Sequence, residues 1–187
     1  MSTPDQDNLA GARAALRARQ GAGARYDADT APVDDLLMAR RGTAYFARQL
    51  MGLSDKALYE PSAIVGQTRA HIVARISYEA RHHALALESL TQGNALELPE
   101  DLPSLDLAIS LPARALRNLF QHSEVHLNIC WRDLTESQWD MPLTLPNGER
   151  VTPRDLPLMR AKSIWHGAVA LGSGARVSDI PRQLMDG

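Results

Sequence analysis

The feature that most constrains this chain is a period. Apolar residues recur at the 3.6-residue repeat of an α-helix in four separate stretches. In the first, Leu36, Ala39, Thr43, Phe46 and Leu50 share one side of a helix predicted over 32–51. Thr30 is expected to cap it, Asp34 and Asp35 suit the positive end of its dipole, and Gly52 is its natural stop. The second helix, 68–90, carries two stripes. Ile72, Ile76, Leu87 and Leu90 make an apolar one; His71, Arg75, Tyr78 or Glu79, and His82 make a polar one. The third, 111–132, is expected to be capped by Ser110 and to turn Leu116, Phe120, Ser123, Leu127 and Cys130 to the core. The fourth, 156–171, ends at Gly172. Between the last two, Asn147-Gly148 flanked by short extended runs marks a β-hairpin. Four such segments bury their stripes most simply against one another, so the fold class is all-α: an antiparallel four-helix bundle with a small β-hairpin before the last helix.

Two units follow from the composition. Residues 1–30 read as an N-terminal arm and linker, with Leu9, Ala12 and Leu16 on one side of a short amphipathic stretch ahead of GAGARYDADTAP. Residues 31–187 form the bundle domain. The 22 acidic residues nearly balance 20 Lys plus Arg, so nothing funnels a polyanion and a nucleic-acid partner is not expected. No run of about 18 apolar residues offers a membrane span, and MSTPDQDN has no signal-peptide pattern. Cys130 is the single cysteine, so no internal disulfide forms. Together these predict a cytoplasmic protein. The Ala-rich arm is expected to favour a homodimer.

Two stretches carry a resemblance. The first is RRGTAYFARQLMGLSDKALYEPSAIVGQTRAHIVARISYEARHHAL; the second is ALRNLFQHSEVHLNICWRDLTESQW with PNGERVTPRDLPLMRAKSIWHGAVALG and the closing VSDIPRQLMDG. In order and spacing they resemble the N-terminal, DinB-like domain of the mycothiol-dependent maleylpyruvate isomerases, over roughly 32–187. The family's smaller C-terminal domain would begin where this chain ends. The resemblance implies a DinB-like bundle, a small carboxylate as substrate, mycothiol or another low-molecular-weight thiol as cofactor, and a divalent metal, usually zinc, held by two histidines and a glutamate. It places Arg75, Ser163 and Gly167 at those three ligand positions, and Gln67 and Ala170 where the family carries tryptophan and aspartate.

None of those three residues is a ligand of adequate strength for zinc, and Arg75 is always charged. The expectation is therefore a maleylpyruvate isomerase-like protein that has lost its metal site and holds no zinc. His122 and His126 have the i,i+4 spacing that chelates on helices but point away from the core face, and read as surface residues. In place of the metal, Arg75 offers a bidentate guanidinium to a small anion or carboxylate. The expected catalytic residues are Arg75, His166 and Tyr78; the expected substrate-binding residues are Arg75, His71, Glu79, His82 and Ser163. The competing reading is a purely structural Arg75–Glu79 pair. Two functions stay open at this point. One is a metal-independent isomerase or transferase of small carboxylates. The other is a non-catalytic anion- or thiol-binding relative, or a dimeric interaction protein.

Overall fold

The structure is a computed structural model and describes residues 27–98 and 104–185. Most of the expected N-terminal arm lies outside the described residues. Four long helices dominate the remainder: α1 (Val33–Met51), α2 (Arg69–Gln92), α3 (Ala113–Asp133) and α4 (Leu156–Ala170). Each end falls within two residues of its sequence expectation. A one-turn helix, Leu105–Ala108, precedes α3, and strands β1 (Leu143–Thr144) and β2 (Arg150–Val151) pair antiparallel, with Leu143 opposite Val151. Gly148 closes the hairpin: its N–H donates to the Leu145 carbonyl at 2.8 Å, at a φ of +86° that favours glycine. The arrangement is the expected all-α, DinB-like bundle with a small hairpin before its last helix.

Two caps differ from expectation. Both α1 and α3 start behind a proline, Pro32 and Pro112, and have no side-chain cap. Thr30 donates instead to the Glu136 carbonyl at 3.2 Å, and Ser110 to the Leu107 carbonyl at 2.7 Å. Proline fixes φ near its helical value, so the backbone is preset for entry and those hydroxyls serve other segments. By contrast α2 has a reciprocal cap, in which His71 Nδ1 accepts from the Thr68 N–H at 3.1 Å and sits 2.8 Å from the Thr68 hydroxyl.

The predicted stripes are the core. Leu36, Phe46, Leu50, Ile72, Ile76, Leu87, Leu116 and Leu127 are all essentially sealed from solvent, each contributing about 1.5–3 kcal/mol relative to exposure. α1 packs on α4, and α2 packs on both α3 and α4. The α1–α4 contact is close because of Gly42. A Cβ there would lie 2.6 Å from Ile164 Cγ2 and 2.8 Å from the Trp165 ring, so only hydrogen fits. Trp165 is therefore a packing residue; it stacks on Tyr45 and its indole N–H donates to the Met38 carbonyl. Between α1 and α3 a cleft of about 530 Å³ remains, lined by Leu50, Phe120 and Glu124 among others. No helix among the described residues is long and apolar enough to cross a membrane.

Candidate functional site

The polar stripe of α2 faces a cavity of about 460 Å³. Arg75, Tyr78, Glu79, His82 and His83 line it from one side, because positions i, i+3, i+4, i+7 and i+8 share a helix face. Ser104, Leu105 and the hairpin residues Leu145, Pro146 and Asn147 complete the wall, three of them apolar.

Behind Glu79 lies a buried charge network. Arg160 of α4 is fully enclosed. It donates to the Ile76 carbonyl at 2.9 Å, to Glu79 at 3.2 Å and to Glu124 in a close ion pair. The Ser163 hydroxyl donates to the other Glu79 oxygen, and Thr43 donates to Glu124 at 3.1 Å. Thr43, Glu124, Arg160, Glu79 and Ser163 thus form a continuous polar string across an apolar bundle. Burial works against charge on Arg160, but Glu124 and Glu79 outweigh it and hold its pKa above the ordinary value. Burial pushes the Glu124 carboxyl up, while Arg160 and Thr43 pull it back.

The imidazoles are shifted the other way. Burial lowers His83 to about 4, with Glu79 opposing and Arg160 and His82 adding, so the ring is neutral at pH 7. Its Nδ1 is buried without a hydrogen-bond partner among the described residues. His82 is also lowered, first by burial and then by Arg81, and its ring stacks on Tyr78 with centroids 6.1 Å apart. Burial raises the Tyr78 phenol.

Of the residues singled out in the sequence, the cavity gathers Arg75, Tyr78, Glu79 and His82. Ser163 reaches it through Glu79. His71 does not join them: its ring nitrogen caps the start of α2. His166 is exposed on α4 and lies outside the lining. The structural Arg75–Glu79 pair is replaced, because Glu79 is held by Arg160 and Ser163 while Arg75 stays exposed. Gly167 is pressed against Ile76, where a Cβ would fall 2.7 Å from Cδ1. Two polar residues of this region were not among the expected site residues: His83, which lines the cavity, and Arg160, enclosed behind Glu79. The available signals were spacings: His83 is four residues after Glu79, and Arg160 three before Ser163.

The expectation that metal binding is lost needs correction, and with it the expected absence of zinc. Glu88 of α2 and His126 and Cys130 of α3 bring a carboxylate oxygen, an imidazole nitrogen and a sulfur within 4.8 Å of one another. His126 and Cys130 are i,i+4 on α3, and His126 Nε2 already lies 2.7 Å from Glu88 Oε1. His126 is therefore not a plain surface residue. The donor set suits zinc, which takes oxygen, nitrogen and sulfur at about 2.0–2.3 Å and leaves a fourth position open here. Tetrahedral donors at those lengths stand about 3.3–3.8 Å apart, a spacing inside the range that the trio spans. Burial, with Glu88 and Asp133 adding, pushes the Cys130 thiol up to about 12, and metal binding would displace that proton. The trio sits on α2 and α3, whereas the resemblance pointed to α2 and α4. Nine residues separate Glu79 from Glu88, about 13 Å along the helix and half a turn around it. A cleft of about 450 Å³, lined by Leu85, Glu88, Ser89 and Gln92, adjoins the trio.

No family profile matches the chain, and no curated protein matches it. Two solved structures do: a mycothiol-dependent maleylpyruvate isomerase and a histidine-to-alanine mutant of such an enzyme. Each superposes with a TM-score of 0.73 at 29% identity over 81% of this chain. The chain spans 65% of the length of those proteins.

Proposed function

We propose that this chain is a maleylpyruvate isomerase-like protein that receives a small carboxylate in the α2 cavity and carries a divalent ion on Glu88, His126 and Cys130. The observation that carries the reading is the position of Arg75. Its guanidinium lines the cavity together with Tyr78, His82 and His83, one helical turn from a carboxylate already held by another arginine. A planar guanidinium binds a carboxylate through two parallel hydrogen bonds. Because Arg160 and Ser163 hold Glu79, that carboxylate does not need Arg75 as its partner.

The other cavity groups orient rather than anchor. Tyr78 and His82 present a stacked pair of ring faces, and His83 stays neutral at physiological pH. An ion on the trio would supply a Lewis acid with one open position to the cleft at Glu88, on the other face of α2. The solved relatives are named for maleylpyruvate and for mycothiol; a small dicarboxylate and a low-molecular-weight thiol are therefore the substrate and cofactor classes to supply.

Calorimetric titration of maleate into the wild-type chain and into Arg75→Gln tests the reading. Loss of a bidentate charged pair should weaken binding at least about tenfold. Equal affinity in the two proteins would remove Arg75 from the site.

A further inference from the structure

We infer that the α2 cavity selects a ligand carrying an amino group beside its carboxylate, an α-amino acid with an apolar side chain. The inference rests on the carboxylate reading above and goes beyond it to the chemistry of the opposite end.

The first reason is a charge count. Two carboxylates, Glu79 and Glu124, share one buried guanidinium, Arg160. Arg160 is the only cation ion-paired with either carboxylate among the described residues, so Glu79, the more exposed of the two, is open to a second cation. The hydroxyls of Ser163 and Thr43 donate to the carboxylates but cannot neutralise them. Of the two carboxylates, Glu79 faces the cavity and Glu124 faces the clefts beside α1 and α3. A carboxylate has about four lone-pair sites. Arg160 and Ser163 use one on each Glu79 oxygen, so capacity for a donor remains on the cavity side.

The second reason is His83. It is 4% exposed, lines the same cavity, and its Nδ1 has no partner among the described residues. A buried polar atom of this kind is normally satisfied. A polar group on a ligand would satisfy it.

The third reason is spacing. Arg75 and Glu79 are one turn apart on a single face, so a cation-binding and an anion-binding group lie side by side. An α-amino acid carries its ammonium and carboxylate on one carbon, and its zwitterion adds no net charge. Leu105, Leu145 and Pro146 form the facing wall together with Ser104 and Asn147, and the three apolar residues suit an apolar side chain.

Three isosteres separate the contributions: phenylalanine, 3-phenylpropanoate, which lacks the amine, and 2-phenylethylamine, which lacks the carboxylate. Titrated calorimetrically into the full chain, phenylalanine should bind at least about tenfold more tightly than either. Arg75→Gln, at an exposed position, should erase the advantage over the amine. Glu79→Gln should erase the advantage over the acid; if that variant melts early, the wild-type panel and Arg75→Gln still decide. Equal binding of phenylalanine and 3-phenylpropanoate would overturn the amino-group inference and leave the carboxylate reading intact. Binding of neither carboxylate would overturn the inference, while the maleate titration decides the carboxylate reading separately.

Discussion

The two faces of α2 hold the same kinds of side chain under opposite conditions. On the cavity face, Glu79 is tied to a fully enclosed arginine and His83 is sealed. On the face toward α3, Glu88 and His126 meet at 2.7 Å while both remain more than a third exposed. Charge on the first face is fixed by the protein's own partners, so removing one leaves its neighbour stranded. Water already solvates part of the second pair, so its internal bond is weak and an incoming ion can replace it. The cavity face is thus built around charges that the fold depends on; the α3 face holds a site that the fold can do without.

The largest expected effect follows directly. Arg160→Ala leaves Glu124 largely buried and Glu79 half-buried without their cation and should cost about 3–5 kcal/mol in urea unfolding. A loss under 1 kcal/mol would mean the network is not a structural charge cluster. A somewhat smaller effect is expected with pH. His83 has a folded pKa of about 4 against an ordinary 6.5. A depressed histidine favours the folded state fully above pH 6.5, and that contribution is lost as pH falls toward 4, because the unfolded chain then binds the extra proton. The loss is about 3 kcal/mol. His83→Leu should flatten that window, with Glu79, Arg160 and His82 as the remaining charges around the position. Unchanged pH dependence in this variant would place the effect elsewhere.

The α3 face should respond to metal instead. Zinc at a hundredfold excess over its dissociation constant should stabilise the chain by about 2.7 kcal/mol, read as a rise in melting temperature, and Cys130→Ser with His126→Ala should abolish the rise. Persistence of the rise in the double variant would move the metal away from the trio. Smallest of all, His126→Ala without metal should cost only about 0.2–1 kcal/mol, since its partner is half-exposed. A loss as large as that at Arg160 would erase the distinction between the two faces.

How much of this was legible in the sequence divides along the same line. The helices and hairpin were, because a 3.6-residue stripe such as Leu36–Ala39–Phe46–Leu50 is a local property and Asn147-Gly148 a local turn. So was the polar stripe of Arg75, Glu79 and His82, which shares one helix. The partners of that stripe were not. Arg160 meets Glu79 across 81 residues and Glu124 across 36, and only packing brings them together. The same holds for the metal trio. In sequence His126 has two i,i+4 neighbours, His122 and Cys130, and nothing local says which one is turned toward Glu88. Burial decides: His122 is exposed, Cys130 is not. Thr30 and Ser110 missed their expected cap roles for a related reason, since the prolines ahead of α1 and α3 preset the helix entry.

The central claim, that small carboxylates enter the α2 cavity at Arg75 and not the cleft at Glu88, is tested most directly by amide chemical-shift mapping on the nitrogen-15-labelled chain during a maleate titration. Saturable shifts are expected to cluster at Arg75, Glu79, His82, His83, Leu105 and Leu145 and to be absent in Arg75→Gln. Shifts centred on Glu88, His126 and Cys130, or an undiminished pattern in Arg75→Gln, would contradict it.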